Sequence, residues 1–158
     1  MNRPRCFEDW RPGDTIALGR HLVTAEEMRA FAAAYDPQPF HLDEDAARRS
    51  IFGGLIASGW HTAAILMRLV AEAPAFTGCN IASPGFDALE WRRPVKAGDT
   101  LRGEVRVLDC RPSASKPDRG LVRFAQSLVN QRGETVLSLE SMVLYWRRGH
   151  GAAAGARV

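Results

Sequence analysis

Ser58-Gly59-Trp60-His61-Thr62-Ala63-Ala64-Ile65-Leu66-Met67-Arg68-Leu69-Val70-Ala71-Glu72-Ala73-Pro74 is the stretch on which the fold turns. Ser58 offers a side-chain oxygen of the kind that caps a helix start. A helix of about Trp60 to Ala73 follows, and Pro74 lies where a helix has to stop. Its side chains are apolar almost throughout, with Arg68 and Glu72 forming most of the wet edge. A helix apolar nearly all round is a buried one, so the rest of the chain is expected to surround it.

Downstream the pattern changes to strands, over about Phe86 to Arg93, Leu101 to Asp109, Leu121 to Asn130 and Thr135 to Arg147. Leu101, Gly103, Val105 and Val107 alternate with Arg102, Glu104 and Arg106, the period of a sheet with one buried and one wet face. Gln131-Arg132-Gly133 reads as a hairpin turn, and Arg111 to Gly120 as a long basic loop. One buried helix with a run of long antiparallel strands predicts an α+β fold, the sheet wrapped around the helix.

Upstream, Asp14 to Val23 reads as a first strand, and Thr24-Ala25-Glu26-Glu27 as a capping box opening a helix of about Ala25 to Tyr35. Met28, Phe31, Ala32 and Tyr35 share one face of it. Tyr35-Asp36-Pro37-Gln38-Pro39-Phe40-His41-Leu42-Asp43 then places a carboxylate, an amide and an imidazole on a stretch that two prolines keep from continuing as helix. Asp36 and His41 converge only if this loop bends, since five positions put them about 140° apart on a helix and on opposite faces of a strand. Asp43 reads as the cap of a short helix, Glu44 to Arg49, and Ile51-Phe52-Gly53-Gly54-Leu55-Ile56-Ala57 as a glycine-interrupted approach to the central helix.

The 158 residues suit one domain, with an arm over 1–12, the body over 13–148 and a disordered tail over 149–158. With 46% hydrophobic and 25% charged residues the chain reads as a soluble globular protein. No apolar run reaches the roughly 18 residues that span a bilayer, and a cytoplasmic location is expected. The net charge of +3 favours an anionic ligand, but the basic residues are scattered, without the clustered stripe of a nucleic-acid binder. Cys6, Cys79 and Cys110 form no CxxC pair and are odd in number, so neither a disulfide nor a zinc site is expected.

Asp36-Pro37-Gln38-Pro39-Phe40-His41-Leu42-Asp43 resembles the hydratase motif D-x-N-P-x-H-x-D of the MaoC-like dehydratases, the (R)-specific enoyl-CoA hydratases of the hot-dog fold, with Gln38 in place of the usual Asn. Gly13-Asp14, Ser58-Gly59-Trp60-His61 and Arg93-Pro94-Val95-Lys96-Ala97-Gly98-Asp99-Thr100-Leu101 extend the resemblance, which covers roughly Phe7 to Trp146. It implies a single hot-dog domain and a homodimer or higher even assembly. The implied activity is reversible addition of water to an enoyl-CoA, with coenzyme A entering only as part of the substrate and no other cofactor or metal.

Hydration of a double bond conjugated to a thioester needs a base for water, an acid for the α carbon and a donor for the enolate-like oxygen. A carboxylate and an imidazole suit the first two tasks, and a helix N-terminus with its unpaired N–H groups suits the third. By resemblance Asp36 and His41 form the catalytic pair and Gly59 provides the backbone donor. Gln38, Phe40, Phe52, Ile56, Ser58 and His61 are the candidate substrate-binding residues. For the phosphates of coenzyme A the candidates are Arg92, Arg93, Lys96, Arg111, Lys116 and Arg119. Two other classes of function suit the same fold, an acyl-CoA thioesterase and a non-catalytic acyl-CoA binding protein.

Overall fold

The computed structural model describes residues 4–150, so residues 151–158 of the expected tail and 1–3 of the arm lie outside the described residues. Alternation builds the sheet. In β3 (Thr100–Pro112), Leu101, Gly103, Val105 and Val107 are buried while Arg102, Glu104 and Arg106 are exposed. This strand pairs antiparallel with β1 (Thr15–Leu22) and β4 (Arg119–Val129), β4 pairs with β5 (Thr135–Trp146), and β5 with β2 (Asn80–Trp91). The result is one five-stranded sheet of order β1-β3-β4-β5-β2.

Against its buried face lies α4 (Gly59–Glu72), whose Ile65, Leu66 and Leu69 pack with Leu101 of β3, Leu128 of β4, and Val136 and Leu137 of β5. The fold is therefore the α+β hot-dog arrangement expected from the sequence. Three shorter helices precede α4, namely α1 (Ala25–Tyr35), α2 (Pro39–Leu42) and α3 (Glu44–Arg49). The capping box of α1 is present, with the Thr24 hydroxyl accepting from the Glu27 N–H and the Glu27 carboxylate from the Thr24 N–H. Asp43 caps α3 by accepting from the Ala46 N–H at 2.7 Å.

The structure corrects several expectations. The central helix buries only one side: Trp60 and Met67 remain 52% and 59% exposed, because a single sheet covers one face of a helix however apolar the other may be. Tyr35 is likewise exposed, although it shares a helix face with the buried Met28 and Ala32. The basic stretch Arg111 to Gly120 is strand at both ends, with Arg111 opposite Leu121 and Pro112 opposite Gly120, which shortens the expected loop to 113–118. In β2 the strand begins at Asn80, six residues before the expected Phe86. Ser83-Pro84-Gly85 hides that start, and an edge strand with irregular register tolerates it because one side needs no partner.

The cysteine expectation is also corrected. Cys6 and Cys79 form a disulfide across 73 positions, with Cα atoms 4.8 Å apart, and Cys110 is free. Sequence spacing could not show this pair, because it depends on the arm returning to the start of β2. Arg5 forms a bridge with Gly78, and its guanidinium holds Asp14 at 3.0 Å. Trp10, nearly fully buried, packs among the rings of Phe76, Phe124 and Tyr145 at centroid distances of 5.3, 5.0 and 5.3 Å.

Candidate active site

Pro37 ends α1 where its ring geometry requires, and Asp36 is left as the C-cap residue at φ −149°, ψ 67°. Gln38 is extended, and Pro39 occupies the first position of a new helical turn, where its missing N–H costs nothing. The connection expected as loop is thus partly helix. That single turn of α2 swings His41 back toward Asp36, so that His41 Nε2 lies 3.4 Å from Asp36 Oδ2.

His41 is buried, and its Nδ1 lies 2.9 Å from the Ile56 carbonyl oxygen. A carbonyl can only accept, so Nδ1 carries a proton and Nε2 is the ring nitrogen turned toward the carboxylate. The Ser58 hydroxyl donates to the same Asp36 Oδ2 at 2.7 Å and accepts from the Trp60 N–H at 3.2 Å. Nε2 and Oδ2, 3.4 Å apart at the cavity, are spaced to share one small polar molecule such as water. Close to this pair the N-terminus of α4 presents the Gly59 N–H, which has no partner among the described residues and carries the partial positive charge of a helix start.

These groups line a cavity of about 390 Å³. Asp36, His41 and Gly59 reach it, as do Phe40, Phe52 and Ile56. The Ser58 side chain lies behind Asp36, fully buried. Gln38 and His61 are outside the lining: Gln38 is exposed, and the His61 ring stacks on Phe31 with centroids 5.0 Å apart. His61 Nδ1 is buried without a hydrogen-bond partner, and burial holds the imidazole below its ordinary range.

Among the basic candidates, Arg92 and Arg93 reach the cavity. Arg92 is held by Ser138 at 2.8 Å and Glu90 at 2.7 Å, whereas among the described residues the Arg93 side chain has only a 3.7 Å contact with Glu134. Arg111, Lys116 and Arg119 sit around the β3–β4 connection, at the far end of those strands from the β4–β5 turn that neighbours Arg92. A larger hollow of about 970 Å³ lies over the outward-facing charged side chains Glu104 and Arg106 and contains none of the paired acid–base groups. Ala57, Trp60, Thr62, Trp91, Pro94 and Val95 complete the smaller cavity. The sequence held no signal for Trp91, because nothing in it says which strand end meets Gly59.

The sequence matches the family model described as a MaoC like domain over residues 9–124. The chain belongs to the MaoC-like family. A crystal structure of the MaoC-like dehydratase from Rhodospirillum rubrum superposes with a TM-score of 0.86 at 45% identity, covering 92% of this chain and 99% of that one. An uncharacterized protein of Bacillus subtilis, YdeM, is 33% identical over 89% of this MaoC-like chain and 99% of its own. The (R)-specific enoyl-CoA hydratase of Rhodospirillum rubrum is 25% identical, with 90% and 93% covered. Relatives of this MaoC-like protein are thus named as hydratases and dehydratases.

Proposed function

We propose that this MaoC-like protein is a hydro-lyase that adds water reversibly across the 2,3 double bond of an enoyl-CoA to give the (R)-3-hydroxyacyl-CoA. The observation that supports this reading is His41 Nε2 3.4 Å from Asp36 Oδ2, with Nδ1 engaged by the Ile56 carbonyl, in one largely apolar cavity with the N–H at the start of α4. Asp36 and His41 hold one water and remove its proton as the hydroxyl adds to C3. The electron pair of the double bond moves onto the thioester oxygen, which accepts from the Gly59 N–H, and a proton returned to C2 completes the addition. A donor of this kind contributes about 2.7 to 4 kcal/mol to the transition state, and a general acid or base about 10² to 10⁴ in rate.

The acyl chain lies among Phe40, Phe52 and Ile56, and Arg93 is the basic side chain at the cavity with room for an anionic group of the carrier. The protein acts as a homodimer or larger even assembly. Support for this comes from the edge of β2, which has no partner strand among the described residues, and from the half-exposed apolar side chains Trp60, Met67, Phe86 and Trp91, of which Trp60 and Trp91 pack together.

The test is loss of enoyl-thioester absorbance with crotonyl-CoA and with a longer trans-2-enoyl-CoA, followed in parallel with free thiol. Loss of the double bond without thiol is expected, falling by at least about 10²-fold in both Asp36→Asn and His41→Ala. Thiol release that survives His41→Ala would overturn the reading in favour of a thioesterase.

A further inference from the structure

The space that a side chain at position 59 would fill is already occupied. A Cβ built on Gly59 would lie 2.5 Å from Cε2, 2.6 Å from Nε1 and 2.9 Å from Cδ2 of Trp91, closer than real Cβ atoms come to anything. Contact with both ring-fusion atoms and the adjoining nitrogen puts Gly59 against the face of the indole, not its rim. Gly59 is absent from the glycines with positive φ, so its backbone would accept any residue. Its missing side chain answers to the close approach of Trp91.

Trp91 is well placed for this contact. It closes the edge strand β2, opposite Leu137 of the core, and lines the cavity immediately before Arg92 and Arg93. The Trp60 ring meets it edge-on, with centroids 5.3 Å apart and planes at 79°, so the indole is held between Gly59 and Trp60. A hydrogen-bond donor gains strength when one side of it is walled from water by an apolar group, because the local dielectric falls.

We propose that Trp91 is a positioning residue whose indole walls the cavity at the start of α4, shields the Gly59 N–H from water and holds the thioester carbonyl against it. The role in turnover rests on the hydratase reading above, while the Gly59–Trp91 contact does not. The geometry makes position 59 a glycine for the sake of the tryptophan, with the substrate a beneficiary at one remove.

A double-mutant cycle tests this with crotonyl-CoA and a longer enoyl-CoA. Gly59→Ala is expected to lower kcat about 100-fold in the natural background and no more than about 2-fold in Trp91→Ala, since interacting sites are not additive. Trp91→Ala alone is expected to lower kcat about 10-fold with little change in KM, and Trp91→Phe to recover most of that loss. A second readout uses Asp36→Asn saturated with crotonyl-CoA. The red shift of the enoyl band, which reports carbonyl polarisation, should shrink on adding Trp91→Ala and return with Trp91→Phe. Equal damage from Gly59→Ala with and without Trp91, or a red shift indifferent to Trp91→Ala, would overturn the proposal. If the wild-type protein hydrates neither substrate, the hydratase reading fails by itself, and the cycle is read in thermal midpoints. Gly59→Ala should then lower Tm only where Trp91 is present, and additive losses would overturn the contact as well.

Discussion

The single hydroxyl of Ser58 serves two partners, Asp36 Oδ2 as donor and the Trp60 N–H as acceptor, and so fixes the carboxylate relative to the helix that supplies the oxyanion donor. Ser58→Ala should cost about 1 kcal/mol of stability through the lost cap and lower kcat about 10-fold by releasing Asp36, checked by thermal denaturation and steady-state kinetics. Half of this was legible beforehand. A serine ahead of an apolar helix reads as a cap, but its bond to a residue 22 positions away depends on tertiary approach. The same holds for Asp36 and His41, whose residue types and prolines pointed to a site while the bend joining them needed the turn of α2. His61 shows the opposite case, a polar residue close to the site in sequence whose ring faces the neighbouring helix.

Helix to helix, that stack of His61 on Phe31 joins α4 to α1, five residues before Asp36, and Glu27 on the preceding turn of α1 is held by His21 of β1 at 2.8 Å. The groups facing His61 are therefore Glu27, which favours its protonation, and His21, which opposes it, and burial, the largest influence, joins His21 in outweighing Glu27 to lower its pKa. A base with a depressed folded pKa leaves the unfolded chain binding more protons, so stability rises with pH across that window. As pH falls below the ordinary value of 6.5, the natural protein should lose thermal stability relative to His61→Phe, which keeps the stack and cannot titrate. Parallel Tm–pH curves for the two proteins would contradict this. Element types were readable wherever a period was clean, as in β3 and the capping box of α1. They were obscured where the pattern was interrupted, as by Ser83-Pro84-Gly85 in the edge strand, or where polar residues on a wet hairpin rim looked like a loop.

Taken whole, the molecule has two packed clusters, one between α4 and the sheet and one built on Phe7, Trp10, Phe76, Phe124 and Tyr145. The second exists because the arm folds back, tied by Glu8 to Arg147 and by the Cys6–Cys79 bond. Opening that bond releases a 73-residue constraint and should lower stability by about 2–4 kcal/mol, read as a shift of the denaturation midpoint with reductant. The native protein should titrate one thiol, Cys110, and three after reduction and unfolding. The bond also makes the chain a lasso. Asp36, His41 and Gly59 all belong to its closed ring, while Trp91 lies on the open strand that leaves it. One protease cut in the ring, for instance between Gly53 and Gly54, would free no fragment. It would turn the ring into two branches on one knot, running as a single band until a reductant unties it.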